Sequence, residues 1–132
     1  MHRAYLLIVT AVAEAGTGLV LLVLPSLPLV LLLGVEQASL ETIFVTRLAG
    51  AALLAIGVAC WLARNDHGRT AQRGLLTGLL VYDVAAAALL AYAGLALSMV
   101  GLALWPAVVL HAALAIWCIL CLSVRQEASK LE

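Results

Sequence analysis

The sequence predicts an all-α integral membrane protein, an antiparallel four-helix transmembrane bundle with both termini on the cytoplasmic side. Three observations carry this expectation. Of 132 residues, 66% are apolar and only 11% are Asp, Glu, Lys or Arg, against roughly half and a quarter in a soluble domain. Four apolar stretches approach the ~20 residues that span a bilayer. Six of the seven basic residues fall on one side of those stretches. Seven acidic residues balance the seven basic ones, so no basic footprint for nucleic acid exists. The composition is equally far from that of a disordered chain.

The first span covers Ala4 to Leu24. Arg3, the apolar run and Ala13-Glu14-Ala15 imitate a signal peptide. The run resumes through Leu24, however, which is too long for a signal core, so the segment is expected to stay as an anchor. The second span runs from Thr42 to Ala63, the third from Gly74 to Tyr92 and the fourth from Pro106 to Val124. Arg3 precedes span one; Arg64, Arg69 and Arg73 lie between spans two and three; Arg125 and Lys130 follow span four. The first and third connections carry no basic residue, and the positive-inside rule makes the Arg-bearing side cytoplasmic. Tyr5, Trp61 and Trp117 then fall toward the inner interface, with Tyr92 and Trp105 toward the outer. An Arg-over-Lys, Ala- and Leu-rich composition suggests a GC-rich bacterium, and the expected location is its inner (cytoplasmic) membrane. Leu131-Glu132 reads as a cloning remnant.

Two outer segments, 25–35 and 93–105, are too apolar for ordinary loops. Pro25 and Pro28 interrupt any continuing helix. The segments are either ragged helix ends accommodated by tilt or an outer cap closing a chamber between helices. Gly74/Gly78 and Gly50/Gly57 match small-residue spacings that mark close helix contact.

Each span carries one ionisable residue: Glu14, Arg47, Asp83 and His111. An Arg or Asp facing hydrocarbon costs at least ~2.5–3.5 kcal/mol, so such residues turn inward and find partners. At about 1.5 Å per residue, Glu14 and Asp83 lie roughly 15 and 14 Å from their inner helix ends. Arg47 and His111 lie roughly 7 and 8 Å below their outer ends by the same rise. The four are expected to converge in one shielded cluster. Thr10, Glu14 and Thr17 form a polar stripe, and small residues flank each charged one, as Gly50 does Arg47.

The expected chemistry is acid–base catalysis on a lipophilic substrate: isomerisation, cyclisation or epoxide opening. Glu14 and Asp83 are the acid and base, because carboxylates in different environments divide those roles. Arg47 orients substrate or stabilises developing negative charge, and His111 shuttles a proton. Thr10, Thr17, Tyr82 and Gly50 line the substrate position. No cofactor motif is visible, and His2, His67 and His111 show no zinc spacing, so neither cofactor nor metal is expected. Cys118-Ile119-Leu120-Cys121 is a CxxC, but no Cys pair lies in the connections. Its cysteines read as small hydrophobes. Glu41 and Glu36 lie on the outer side, where Glu41 suits a helix start. The rival expectations are a non-catalytic lipid-binding or accessory subunit, in which the charges fix helix register, and a small proton-coupled transporter. Partners are the bilayer and a lipophilic small molecule, with homo-oligomerisation open.

Thr46-Arg47-Leu48-Ala49-Gly50-Ala51-Ala52-Leu53-Leu54-Ala55-Ile56-Gly57 resembles the Arg-led, Gly-spaced helix of small bacterial four-helix membrane proteins of the DoxX-like kind. The resemblance covers that helix and the four-span plan. It implies a fold class and Arg47 as a key polar residue.

Overall fold

Pro25, Gly34 and Gly101 stand in breaks between helices, whereas Pro28, expected to interrupt a continuing helix, does not: it has αR backbone and runs straight into the following π-helical turn. The computed structural model describes residues 2–66 and 69–128. It contains α1 (His2–Val23), α2 (Ser26–Pro28), a π-helical turn at Leu29–Leu33, α3 (Leu40–Ala63), α4 (Arg69–Leu95) and α5 (Leu104–Ala128). No strand occurs among the described residues. Four of these helices (all but α2) are long and apolar enough to cross a membrane. His67 and the 129–132 tail, with Lys130 and Leu131-Glu132, lie outside the described residues.

The helices overrun the apolar spans. α4 begins at Arg69 rather than Gly74, because Thr70, Gln72 and Arg73 are polar but not helix breakers. Hydropathy marks what lipid tolerates, not where the backbone stops coiling. α5 begins at Leu104, placing Pro106 in its first turn, where no amide is needed for an intrahelical bond. Ser39 caps α3, its hydroxyl accepting from the Thr42 amide at 3.3 Å. Glu41 sits exposed in that first turn, as the helix dipole favours.

The contacts define the directions. Gly18 meets Gly50 and Leu54, whereas Gly57 meets Ala15 and Ala11, so α1 and α3 run antiparallel. α4 and α5 do too: Gly94 faces Leu104 and Trp105, and Asp83 faces His111. Arg3 bonds Gln72 and Glu14 bonds Tyr82, so α1 and α4 run parallel. Arg3 also donates to the Cys121 carbonyl at 2.6 Å, tying the start of α1 to the last turns of α5. Arg64 covers the Trp61 ring at 4.0 Å from its centroid and bonds the Trp61 carbonyl at the same end.

The α1–α3 contact is backbone on backbone. A Cβ on Gly50 would stand 2.8 Å from the Gly18 carbonyl oxygen, and one on Gly57 2.7 Å from the Ala15 amide nitrogen. Side chains there would force the helices apart, so glycine is what permits the approach. Gly74 and Gly78 differ: nothing lies within 4 Å of a Cβ at either, and both are exposed. Their small-residue spacing therefore makes no helix contact within this chain.

The two apolar segments pack on each other at the end remote from the termini. The Ala103 amide donates to the Leu31 carbonyl at 2.8 Å. Gly101 abuts the backbone of Leu31 and Leu32 so closely that no side chain fits. Gly34 ends the π turn at φ 71°, a conformation glycine adopts without steric cost. Segments 25–35 and 93–105 thus form a cap rather than two unrelated loose ends.

The continuous apolar core lies in the other half. Leu6, Leu7, Ala11, Cys60, Leu76, Leu79, Leu114, Cys118 and Cys121 form one buried cluster at the end carrying the termini. In the half nearer the cap Leu104 and Leu29 are buried, but many large apolar residues stay open, with Phe44 68%, Leu48 62% and Leu89 68% exposed. A surface of this kind is stable only against lipid or another chain.

Gly57→Leu is expected to destabilise the bundle by about 1–3 kcal/mol through overpacking. Gly78→Leu is expected to be neutral or stabilising, by up to about 1 kcal/mol from helix propensity. Unfolding of the two variants in detergent micelles checks the contrast.

Candidate functional site

Residues one turn apart on a helix share a face, and residues one apart diverge by about 100°. This geometry decides which polar side chains meet. On α1, Thr10 and Glu14 share the buried face, 0% and 3% exposed. On α4, Tyr82 and Asp83 are adjacent and so address two different helices. Tyr82 donates from its hydroxyl to Glu14 Oε2 at 3.2 Å, across to α1. Asp83, 1% exposed, accepts at Oδ1 from His111 Nδ1 at 2.9 Å, across to α5. The Tyr82 and His111 rings meet edge to face, centroids 5.6 Å apart and planes at 85°. Glu14, Asp83 and His111 each present a ligand-capable atom within 4.8 Å of the others. Three of the four predicted ionisable residues therefore converge, on α1, α4 and α5.

Arg47 does not join them. It is exposed, and among the described residues it has no hydrogen bond or ion pair. The buried face of α3 holds Thr46, Gly50, Gly57 and Cys60, with spacings of one, three and four helical turns from Thr46. That face is centred one residue before Arg47, and Arg47 is carried to its edge. Arg47 and Gly50, three residues apart, stay about 60° apart on the helix, yet only Gly50 is buried, so Arg47 does not reach the cluster as expected. Gly50 packs against the α1 backbone. Thr17 is also exposed: it is the next residue, Gly18, about 100° further round the helix, that turns toward α3.

The cluster is a boundary. On one side lies the sealed apolar core, whose Cys60, Cys118 and Cys121 are buried free thiols, consistent with small hydrophobes. On the other side Ala86, Ala87, Leu90 and Ala107 are only half-buried. This half, between the cluster and the cap, is therefore less covered than the core. The His111 side chain is 13% exposed against 1% for Asp83, which makes the imidazole the more accessible member. Two buried oxygens have no hydrogen-bond partner among the described residues, Thr10 Oγ1 and Asp83 Oδ2. A separate open groove between α4 and α5 is lined by Arg73, Thr77, Leu80, Ile119, Leu122 and Ser123 and contains no cluster residue.

Two roles are not legible in the sequence. Tyr82, expected only to line the substrate position, is the bridge to Glu14, and its signal is adjacency to Asp83. Arg3, read as a topology marker, also stitches three helices together. Fold and site together define a four-helix bundle with a buried carboxylate–imidazole–phenol cluster. Comparison with known proteins adds no relative: no family model, no curated protein and no solved structure matches this chain.

Asp83→Ala removes the acceptor of a buried imidazole and is expected to cost about 1–3 kcal/mol. Arg47→Ala should change stability by less than about 0.5 kcal/mol. Thermal unfolding in the same micelles reads both.

Proposed function

We propose that this protein is an integral membrane enzyme of the bacterial inner membrane, performing cofactor-independent acid–base chemistry on a lipophilic molecule. The termini-bearing, Arg-rich end is placed in the cytoplasm. The observation that carries the reading is the 2.9 Å Asp83–His111 pair beside Glu14 and Tyr82, buried among apolar helices. Asp83 holds His111 through Nδ1, leaving Nε2 to take a proton from the substrate while the carboxylate stabilises the imidazolium. Glu14 and Tyr82 form the second couple, placed to return a proton or to hold developing negative charge on a substrate oxygen. One proton leaves and one returns, so isomerisation, cyclisation or epoxide opening needs no other reactant beyond water in the last case. The substrate enters from the bilayer into the less covered half lined by Ala86, Ala87 and Ala107.

The role expected of Arg47 passes to Tyr82 in this reading. Exposure of Arg47 on α3, a helix that packs mainly on α1, favours a second role beside the first. That face meets a partner chain, a second copy or an accessory subunit. Native mass spectrometry from nanodiscs tests it: an oligomer that Arg47→Leu dissociates supports the interface, and a monomer removes it.

The enzymatic reading is tested with protein in nanodiscs, a bacterial lipid extract and D2O buffer, products being read by mass spectrometry. The expected result is a deuterated or rearranged lipophilic product. His111→Ala and Asp83→Asn are each expected to slow its formation by about 10²-fold or more, the usual worth of positioned acid–base groups. Unchanged rates in folded variants, or no product at all, would remove the assignment.

A further inference from the structure

With Arg47 outside, the cluster lacks the cation that sequence alone assigned to it. Glu14 and Asp83 are two carboxylates, 3% and 1% exposed, with one imidazole bonded to Asp83 and no Lys or Arg bonded to either among the described residues. Charge buried without compensation is expensive in a low-dielectric interior. Asp83 Oδ2 points to what is missing. It is a carboxylate oxygen in a fully enclosed side chain, and no donor reaches it. Thr10, one turn along α1 from Glu14, adds a second enclosed oxygen without a partner.

We propose that Glu14, Asp83 and His111 bind a single divalent transition-metal ion of the zinc class, an occupancy of the same residues that stands as an alternative to the metal-free proton chemistry proposed above. The donor set is two carboxylate oxygens and one imidazole nitrogen. Three protein ligands with a remaining open position are the pattern of reactive rather than structural zinc sites. Mixed oxygen and imidazole donors suit zinc, iron or manganese better than calcium or magnesium. The donor atoms lie within 4.8 Å of one another. They need to draw in to about 3.4 Å for tetrahedral bonds of about 2.1 Å, a small adjustment for side chains on three separate helices. Two carboxylates and a divalent ion with a neutral imidazole sum to zero charge, which a bilayer interior favours. Tyr82 already donates to Glu14 Oε2 at 3.2 Å. Such an outer hydrogen bond orients a ligand and leaves the other carboxylate oxygen for the ion. The sequence offers no zinc spacing because the ligands stand on α1, α4 and α5, 69 and 28 residues apart, rather than in one motif.

The inference does not depend on turnover, so its test reads binding directly. Tag-free, chelator-stripped protein in nanodiscs is equilibrated with Zn2+ and, separately, Co2+, and uptake is measured by elemental analysis. The expected result is one ion per chain, with Co2+ giving visible d–d bands of oxygen and nitrogen coordination. Uptake should be lost in Glu14→Gln/Asp83→Asn and weakened about tenfold in Tyr82→Phe, while Arg47→Ala binds normally. Lack of stoichiometric uptake by the unmutated chain overturns the proposal. So does a Co2+–thiolate charge-transfer band, which would place the metal on Cys60, Cys118 or Cys121. Uptake retained by the double carboxamide variant also overturns it. Metal uptake without lipid turnover would sink only the acid–base reading, and turnover without uptake only this one.

Discussion

Two carboxylates cannot be left among apolar helices without partners, and that constraint organises the molecule. Glu14 on α1 and Asp83 on α4 must each reach a donor on another helix. Glu14 finds Tyr82, and Asp83 finds His111 on α5. These two bonds fix the register of three helices at one level. Apolar packing alone would fix it poorly, since leucine-rich surfaces slide past one another at little cost. The termini-end stitching by Arg3 to Cys121 and Gln72 pins the same three helices a second time, about 16 Å away by helix rise.

The α3 helix is held by other means. It contributes no member of the cluster and is bound to α1 through the backbone approach at Gly18, Gly50 and Gly57. The molecule therefore divides into a polar-registered trio, α1, α4 and α5, and a fourth helix attached by close van der Waals contact. Most of the α3 surface, Arg47 included, remains open. The polar layer separates a filled apolar half from a less covered half beneath the 25–35 and 93–105 cap.

Much of this was legible in the sequence. Four spans follow from hydropathy, because lipid imposes length and apolarity on each. The break at Pro25 follows from proline chemistry, whereas Pro28 stays inside the helical run 26–33 because it lies in that run's first turn. Inward convergence of Glu14, Asp83 and His111 follows from the cost of charge in hydrocarbon. That same cost misplaced Arg47, because its long side chain can reach toward an interface instead of turning inward. The choice between Thr46 and Arg47 as the residue facing α1 is a rotation of about 100°. Hydrophobic pattern does not resolve it on a helix that is apolar all round. Glycine spacing was likewise ambiguous: Gly50/Gly57 and Gly74/Gly78 look alike as text, yet only the former meets a neighbour within the chain.

The central claim is that Asp83 and His111 are bonded inside the bundle when the protein sits in lipid. Solid-state NMR of protein in bilayers, with 15N-labelled histidine and 13C-labelled aspartate, measures this contact directly. The account predicts a strong dipolar coupling between His111 Nδ1 and the Asp83 carboxyl carbon, matching a hydrogen bond of 2.9 Å, and its loss in Asp83→Asn/His111→Gln. A His111 ring with no coupling to Asp83, its nitrogens in contact with lipid or bulk water, would contradict it.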